Sequence, residues 1–213
     1  MSDYSLKVNT IFYSIQGEGP LVGKPALFIR LSGCNLKCSW CDTNYTKYEE
    51  LDLSVISERV HEVRSRTPFG LVVITGGEPC LQDIRPLVDR LIQDGFFVQI
   101  ETNGTQPLGD IVGPERKSEV MVVCSPKEGT HLDVSTARWV HVWKYVVGHN
   151  VVVDESGIPL FAPRPTNTQP VYLQPMDEHE AESNRASVRL CVGLCMAHGH
   201  RLSLQVHKIL GVE

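Results

Sequence analysis

The sequence lacks the features of a membrane, secreted or nucleic-acid-binding protein. Its longest apolar runs are the length of strands, well short of the roughly 20 residues that span a bilayer. Residues 1–7 lack the apolar core of a signal peptide. The net charge of −5 provides no basic surface for nucleic acid, and the chain contains no internal repeat or low-complexity tract. We therefore expect a cytoplasmic protein that binds neither a membrane nor a nucleic acid.

The length favours one domain over residues 1–213, with a substantial core. A complete eight-stranded βα barrel typically takes about 250 residues, so a full barrel would be cramped here. The 7 cysteines, in a chain without an export signal, are expected to be reduced thiols.

The densest chemistry lies at residues 33–43, where Cys34, Cys38 and Cys41 have the spacing C-x3-C-x2-C. A compact loop can turn three thiolates towards one centre and leave room for one further ligand. A structural zinc site takes four protein ligands, and no fourth cysteine or histidine lies nearby. Iron–sulfur clusters are held by cysteine thiolates, so we predict a 4Fe-4S cluster with one open iron. A zinc knuckle and three unrelated buried cysteines are the alternatives.

Apolar, strand-like segments alternate with amphipathic ones along most of the chain. Such alternation predicts an α/β fold whose parallel strands are joined by right-handed crossovers. We expect an incomplete barrel of about six strands, with some helices reduced to loops. The predicted strands are 26–31, 71–75, 96–102, 120–124, 142–147 and 171–173, followed by a last strand at 202–206. The helices are about 53–64, a second one containing Ile84–Leu91, and about 178–197 with an inner stripe of Val188, Cys191, Val192 and Cys195; residues 159–170 are a loop.

Four unusual loops follow the carboxyl ends of these strands, the edge at which βα folds bind ligands. They are the cysteine loop, Gly76-Gly77-Glu78-Pro79, Ser125-Pro126-Lys127 and Gln174-Pro175-Met176-Asp177. Gly76 and Gly77 allow backbone oxygens to approach a ligand, and the Glu78 carboxylate can accept a hydrogen bond from an ammonium group. For the last three loops the structural alternatives are a tight turn, a capped turn and a plain loop, in that order. Cys80, Cys124, Cys191 and Cys195 are interpreted as core residues.

The cysteine motif, with an aromatic residue before its last cysteine, resembles that of the radical S-adenosylmethionine (SAM) superfamily, and Gly76–Pro79 resembles its SAM-amine motif. The resemblance implies that SAM binds the open iron, and that an electron from the cluster cleaves SAM to a 5′-deoxyadenosyl radical. It implies no catalytic residue beyond cluster and SAM. The SAM-binding residues that it implies are Trp40, Cys41, Asp42, Gly77, Glu78, Ser125, Pro126, Lys127, Gln174, Pro175, Met176 and Asp177.

A second resemblance, nearly end to end, is to the 7-carboxy-7-deazaguanine synthase family of the queuosine precursor pathway. It implies conversion of 6-carboxy-5,6,7,8-tetrahydropterin to 7-carboxy-7-deazaguanine with loss of ammonia and regeneration of SAM. It also implies a low-potential electron donor such as a flavodoxin, and a homodimer. The segments that carry it are 12–19, 26–36, 40–43, 75–79, 101–104, 125–127, 173–177 and 204–208.

This resemblance also implies a substrate site that includes the loop at 12–19 and the tail at 205–213. Arg30 would hold the pterin carboxylate as a bidentate partner, unless it extends to water at a sheet edge. Thr43 matches a magnesium ligand, a hard oxygen suited to an ion bound mainly by water and substrate. The remaining contacts implied are backbone groups of Ile15, Gln16 and Gly17, the hydroxyl of Thr75, and Glu213 at the end of the tail.

The tail departs from the family pattern. The family usually reads L-Q-T-H-K and ends near G-I-P, whereas this chain has Val206 and then Gly211-Val212-Glu213. A frayed tail is the alternative. Two other functions stay open: an activating enzyme that generates a glycyl radical on a partner protein, and a non-enzymatic zinc-binding module.

Overall fold

A mixed nine-stranded sheet organises the part of the chain that this computed structural model describes, residues 4–116, 118–165 and 169–213. Its order is β3-β1-β2-β4-β5-β6-β7-β8-β9. Strands β2 and β4 to β9 run parallel to one another, while β1 is antiparallel to both β2 and β3. The strands are β1 Ser5–Ile15, β2 Pro25–Leu31, β3 Glu49–Asp52, β4 Leu71–Gly76, β5 Phe97–Thr102, β6 Val120–Cys124, β7 Val142–Val147, β8 Val171–Pro175 and β9 Arg201–Leu202.

Helices cover the sheet unevenly. In the described residues the α-helices are α1 Leu53–Arg66, α2 Arg85–Gln93, α3 Val134–Ala137, α4 Ala181–His198 and α5 Val206–Leu210. Between β5 and β6 the described chain forms only short 3-10 turns, Gly109–Ile111 and Pro114–Arg116. None of the helices in the described ranges is long and apolar enough to cross a lipid bilayer.

The two faces of β2 differ, as its alternating pattern predicts. Leu27, Ile29 and Leu31 are fully buried in the main core, against α1 and α2. Phe28 and Arg30 lie on the opposite face and line a cavity. The strand therefore separates the core from the site.

The six predicted strands correspond to β2 and β4 to β8, and the incomplete parallel barrel is confirmed. The antiparallel strands β1 and β3, which extend the sheet beyond β2, were not among the predicted strands. The predicted loop at 159–170 includes residues 166–168, which lie outside the described ranges. Residues 1–3, which belong to the N-terminal segment without a signal-peptide core, lie outside them too.

The predicted last strand at 202–206 is wrong. Only Arg201–Leu202 pair with β8, and helix α5 begins at Val206. The chain turns at Ser203, whose N–H donates to Leu173 O (2.9 Å) and whose hydroxyl accepts from Gly19 N (2.9 Å). The first of these is the last hydrogen bond of the β8–β9 pairing, so the pairing ends at Ser203.

The inner stripe of α4 is also partly wrong. Val188 and Val192 are each 37% exposed, whereas Cys191 and Ser187 are fully buried. Ser187 can face inwards because its hydroxyl donates to Glu178 Oε1 at 3.2 Å. The residues of α4 that pack against the second core cluster are Leu190, Cys191, Leu194 and Cys195.

Candidate active site

A cavity of about 440 Å³ lies at the carboxyl ends of the parallel strands. It joins the cysteine loop to the ends of β4, β5, β6 and β8, so the four motif loops meet at one edge as predicted. Eighteen of the sequence-predicted site residues line it: Ile15, Gln16, Gly17, Arg30, Cys34, Cys38, Trp40, Cys41, Asp42, Thr43, Thr75, Gly77, Ser125, Lys127, Gln174, Pro175, Asp177 and Glu213.

The three cysteines of the loop are free thiols at the cavity wall. Burial raises the pKa of Cys34 and Cys38, and the Lys127 ammonium opposes the rise at Cys38. The backbone N–H of Leu36 lies 3.4 Å from Cys34 Sγ and donates to it, a contact that also suits a thiolate. Such donors fit an iron–sulfur cluster.

The geometry fits a cluster better than a single metal ion. Within the described ranges no group of three or more Cys, His, Asp or Glu side chains is gathered as one ion would require. In an iron–sulfur cube each thiolate binds a different iron, so its thiolates lie farther apart. Three cysteines without a fourth protein ligand would leave one iron of such a cluster without a protein ligand.

Gly76 and Gly77 are required by the packing of the cysteine loop. Gly76 has φ +145, and a Cβ there would lie 2.0 Å from Leu31 O. A Cβ on Gly77 would lie 2.1 Å from Gly33 O and 2.7 Å from Cys34 Cβ. A side chain at Gly76 would therefore push the end of β2 away from β4, and one at Gly77 would push the cysteine loop away.

Glu78 does not line the cavity. Its fully buried carboxylate accepts hydrogen bonds from Thr102 Oγ1 (2.8 Å), Asn103 N (2.7 Å) and Cys80 N (3.0 Å). Burial nevertheless raises its pKa. The side chain fastens the end of β4 to the end of β5, and its predicted contact with SAM stays a prediction.

Lys127 lies at the boundary between two cavities. Its ammonium donates to Ser125 O (2.6 Å) and Ser125 Oγ (2.7 Å), and lies 5.5 Å from the centre of the Trp40 ring. The second cavity, of about 630 Å³, shares Trp40 and Lys127 with the first. Pro126 and Met176, which the sequence assigned to SAM, line this second cavity and not the first.

Arg30 faces the first cavity and is not an extended edge residue. Its guanidinium lies over the Phe12 ring at 4.9 Å, and Phe12 in turn stacks on Phe28 with 4.9 Å between ring centres. The aromatic pair supports the guanidinium from one side and leaves the cavity side open to an anion.

The backbone of the loop at 12–19 is already largely paired. Gln16 N donates to Lys24 O (2.8 Å), and Gln16 O accepts from Gly23 N (2.8 Å). Gly17 O accepts from Val206 N (2.9 Å). These bonds fix the shape of the loop, and each of the two carbonyl oxygens keeps a second lone pair for a ligand.

A buried ionic cluster beside this loop was missed by the sequence analysis. Lys144 Nζ donates to Glu18 Oε2 (2.5 Å) and Glu101 Oε2 (2.9 Å). Burial alone would raise the pKa of Glu18, but the Lys144 ammonium outweighs it and lowers the pKa to about 2. Burial likewise opposes the charge on Lys144, yet Glu101 and Glu18 raise its pKa. The one signal in the sequence was a lysine within the apolar run 142–147.

Comparison with known proteins agrees with the site. The family model described as the radical SAM superfamily matches residues 28–120. The chain is 38% identical to 7-carboxy-7-deazaguanine synthase of Rickettsia prowazekii, over 98% of this chain and 89% of the relative. It is 39% identical to the synthase of Bacteroides thetaiotaomicron, over 97% and 98% of the two chains.

A solved structure shares the fold as well as the sequence. The crystal structure of QueE from Escherichia coli superposes with a TM-score of 0.72 at 28% identity, covering 94% of this chain and 93% of that one. With the cysteine loop, the open sheet and near full-length identity in agreement, this chain belongs to the 7-carboxy-7-deazaguanine synthase family of the radical SAM superfamily.

Proposed function

We propose that the protein converts 6-carboxy-5,6,7,8-tetrahydropterin to 7-carboxy-7-deazaguanine with release of ammonia. Family membership gives it the role of a radical SAM enzyme in deazapurine biosynthesis. The substrate assignment is supported mainly by the placement of Arg30 in the same cavity as the three cysteines. The proposal treats residues 1–213 as one radical SAM domain, since one sheet contains all the described strands.

When bound, the cluster supplies the electron that cleaves SAM, and SAM supplies the radical that removes a hydrogen atom from the pterin. Cys34, Cys38 and Cys41 would hold the cluster, and the backbone of Gly77 would approach the SAM ammonium. Trp40 and Lys127 stand where the two cavities meet. We place the methionyl end of SAM in the first cavity and its adenosyl end towards the second, beside Pro126 and Met176.

The pterin would occupy the opposite end of the first cavity. Arg30 holds its carboxylate through a charge-assisted pair, which is stronger than a neutral hydrogen bond. Thr75 offers a hydroxyl from the end of β4. Lys144, Glu18 and Glu101 fix the wall of this end, because three charges that satisfy one another at 2.5 and 2.9 Å resist reorientation.

Magnesium is part of the proposal through Thr43. This side chain is half-buried and lines the cavity, and its hydroxyl is only 3.4 Å from Asp42 Oδ1, a weak contact that a metal could replace. A hydroxyl with the substrate carboxylate and water suits the octahedral oxygen set of magnesium.

The glycyl-radical activating function is not favoured. It would need an open surface for a protein loop, whereas Arg30 and the 12–19 loop enclose a site for a small anion. An electron donor such as a flavodoxin, a homodimer and a cytoplasmic location belong to the same proposal and rest on the family resemblance.

An anaerobic assay tests the proposal directly. Protein with a reconstituted cluster is mixed with SAM, a low-potential reductant and 6-carboxytetrahydropterin, without any partner protein. We expect 7-carboxy-7-deazaguanine and one ammonia per product. A protein that cleaves SAM but leaves the pterin unchanged would refute the substrate assignment.

A further inference from the structure

Lys208 joins three elements that the sequence keeps far apart. It lies on α5, and its ammonium is 2.8 Å from Asp42 Oδ2 and 2.8 Å from Asp177 Oδ2. Asp42 follows the last cysteine of the cysteine loop, and Asp177 follows β8. One side chain thus ties the C-terminal tail both to the cysteine loop and to the sheet.

The two carboxylates differ in how firmly they are held. Asp177 Oδ1 also accepts from Asn184 Nδ2 (2.9 Å) and from His179 N (3.1 Å), so it is fixed by the residues around the start of α4. Within the described ranges, Asp42 has in addition only the long contact to Thr43 at 3.4 Å. Asp177 is therefore the more firmly held of the two carboxylates, and Lys208 ties Asp42 to it.

Helix α5 depends on such polar contacts because it is short and contributes no buried residue. Isolated helices of this length are unstable in water, and Ile209 and Leu210 are exposed. Besides Lys208, the contacts that hold its start are Val206 N to Gly17 O (2.9 Å) and Gln205 Nε2 to Glu18 Oε1 (2.9 Å).

The same helix directs the end of the tail to the substrate side. His207 packs on Gly17 so closely that a Cβ there would lie 2.1 Å from its Nδ1. Gly211 adopts φ +67, and Val212 N donates back to His207 O at 3.0 Å. Glu213 is thereby returned to Ser14 and Arg30.

We propose that Lys208 is a positioning residue that couples the order of the cysteine loop to closure of the tail over the pterin. SAM, which orders the loop around Asp42, would then tighten pterin binding, and the pterin would tighten SAM binding by the same factor. The ligand assignments rest on the proposed function; the mechanical link between Asp42, Lys208 and the tail does not.

The test compares Lys208→Met, which keeps the length of the side chain without its charge, with Lys208→Arg and with Lys24→Met, a matched change at an exposed lysine. Amide hydrogen exchange is measured on cluster-loaded protein without ligands. We expect faster exchange of both 205–213 and 42–46 in Lys208→Met, partial rescue in Lys208→Arg, and no change in Lys24→Met. Faster exchange confined to the tail, or none, would overturn the coupling.

A binding experiment supplies the second measurement. The dissociation constant of 6-carboxytetrahydropterin is measured with and without SAM. We expect about tenfold weaker binding in Lys208→Met with SAM present, as for the loss of two partly exposed ion pairs, at unchanged iron content. Retention of the full SAM effect in this variant would refute the proposal. If the wild type binds no pterin, the proposed function fails, whereas the exchange experiment still decides the link.

Discussion

Arg30 and Glu213 face each other in the first cavity, with Nη1 of the guanidinium 3.9 Å from Oε1 of the carboxylate. The contact is long, and the Glu213 side chain is 61% exposed, so the pair itself is weak. It places a carboxylate beside Arg30, the type of group that the proposed substrate would present there. A carboxylate ligand that reached both guanidinium nitrogens would displace Glu213 without breaking any other contact described here.

The first prediction concerns Arg30. Arg30→Ala should weaken pterin binding by about 2 kcal/mol or more, because a charged hydrogen-bonded partner of the carboxylate is lost. SAM binding should change little, since Arg30 lies at the other end of the cavity. Separate titrations with the pterin and with SAM provide the measurement.

Arg30→Lys is the matched control. It keeps the charge but not the planar pair of donors, so pterin affinity should fall between that of wild type and Arg30→Ala. An equal loss of affinity for SAM and pterin in Arg30→Ala would make Arg30 a structural residue and remove its substrate role.

The sequence predicted most of the fold because local patterns determine it. Six apolar runs gave six parallel strands, and the motif loops then had to share one edge. The ionic cluster of Lys144 escaped prediction because its partners are 126 and 43 positions away along the chain. No local pattern pairs residues at such distances.

The errors in the sequence analysis have a related origin. The sequence also gave no sign that three donors from the ends of β4 and β5 would hold the Glu78 carboxylate, and its contact with SAM stays a prediction. The hydroxyls of Ser187 and Ser203 reverse two hydrophobic patterns, because a buried hydroxyl is acceptable when it is hydrogen-bonded. Such partners become known only from the folded structure.

The second prediction concerns the cluster. Cys38→Ala should abolish stable cluster binding, because two thiolates cannot hold the cube. Cys191→Ala and Cys195→Ala are the controls; both residues pack in the second core cluster and should leave the iron content unchanged. Anaerobic iron and sulfide analysis decides, and equal iron in Cys38→Ala and wild type would contradict the assignment.

The third prediction concerns magnesium. Thr43→Ala should reduce the stimulation of turnover by magnesium while the cluster stays complete, because one oxygen ligand is lost. Thr46→Ala, a change at the threonine three positions further along the chain, is the control. Thr43 would be excluded from the magnesium site if the variant kept the wild-type dependence on magnesium concentration.

The fourth prediction is a reversal of pH dependence. In the wild type, burial alone would raise the pKa of Glu18, but Lys144 lowers it from 4.5 to about 2. Glu18 therefore adds stability above pH 4.5, and this stability is lost as the pH falls towards 2. Lys144→Met leaves Glu18 buried without its cation, so its folded-state pKa should rise above the unfolded value.

Lys144→Met should thus lose about 3–5 kcal/mol of unfolding free energy at neutral pH and recover part of it as the pH falls. Denaturant unfolding between about pH 3 and pH 8 measures this. The double variant Lys144→Met/Glu18→Gln removes one unpaired charge and should be more stable than the single variant at neutral pH. A single variant whose stability falls with pH as in wild type would contradict the argument.

The last prediction concerns residues 212–213. The hydroxyl of Ser14 donates to the main-chain oxygen of Glu213, so the contact depends on the backbone and not on the last side chain. Ending the chain at Gly211 should cost about 1 kcal/mol of pterin binding and raise its Michaelis constant about fivefold, with a full cluster. Glu213→Pro retains the main-chain oxygen and should be tolerated.

Glu213→Gln removes only the carboxylate that competes for Arg30, so the Michaelis constant of this variant for the pterin should be equal to or below that of wild type. If the protein that ends at Gly211 behaves as wild type, the tail takes no part in holding the substrate. If Glu213→Gln binds the pterin more weakly than wild type, the Glu213 carboxylate assists Arg30 and does not compete for it.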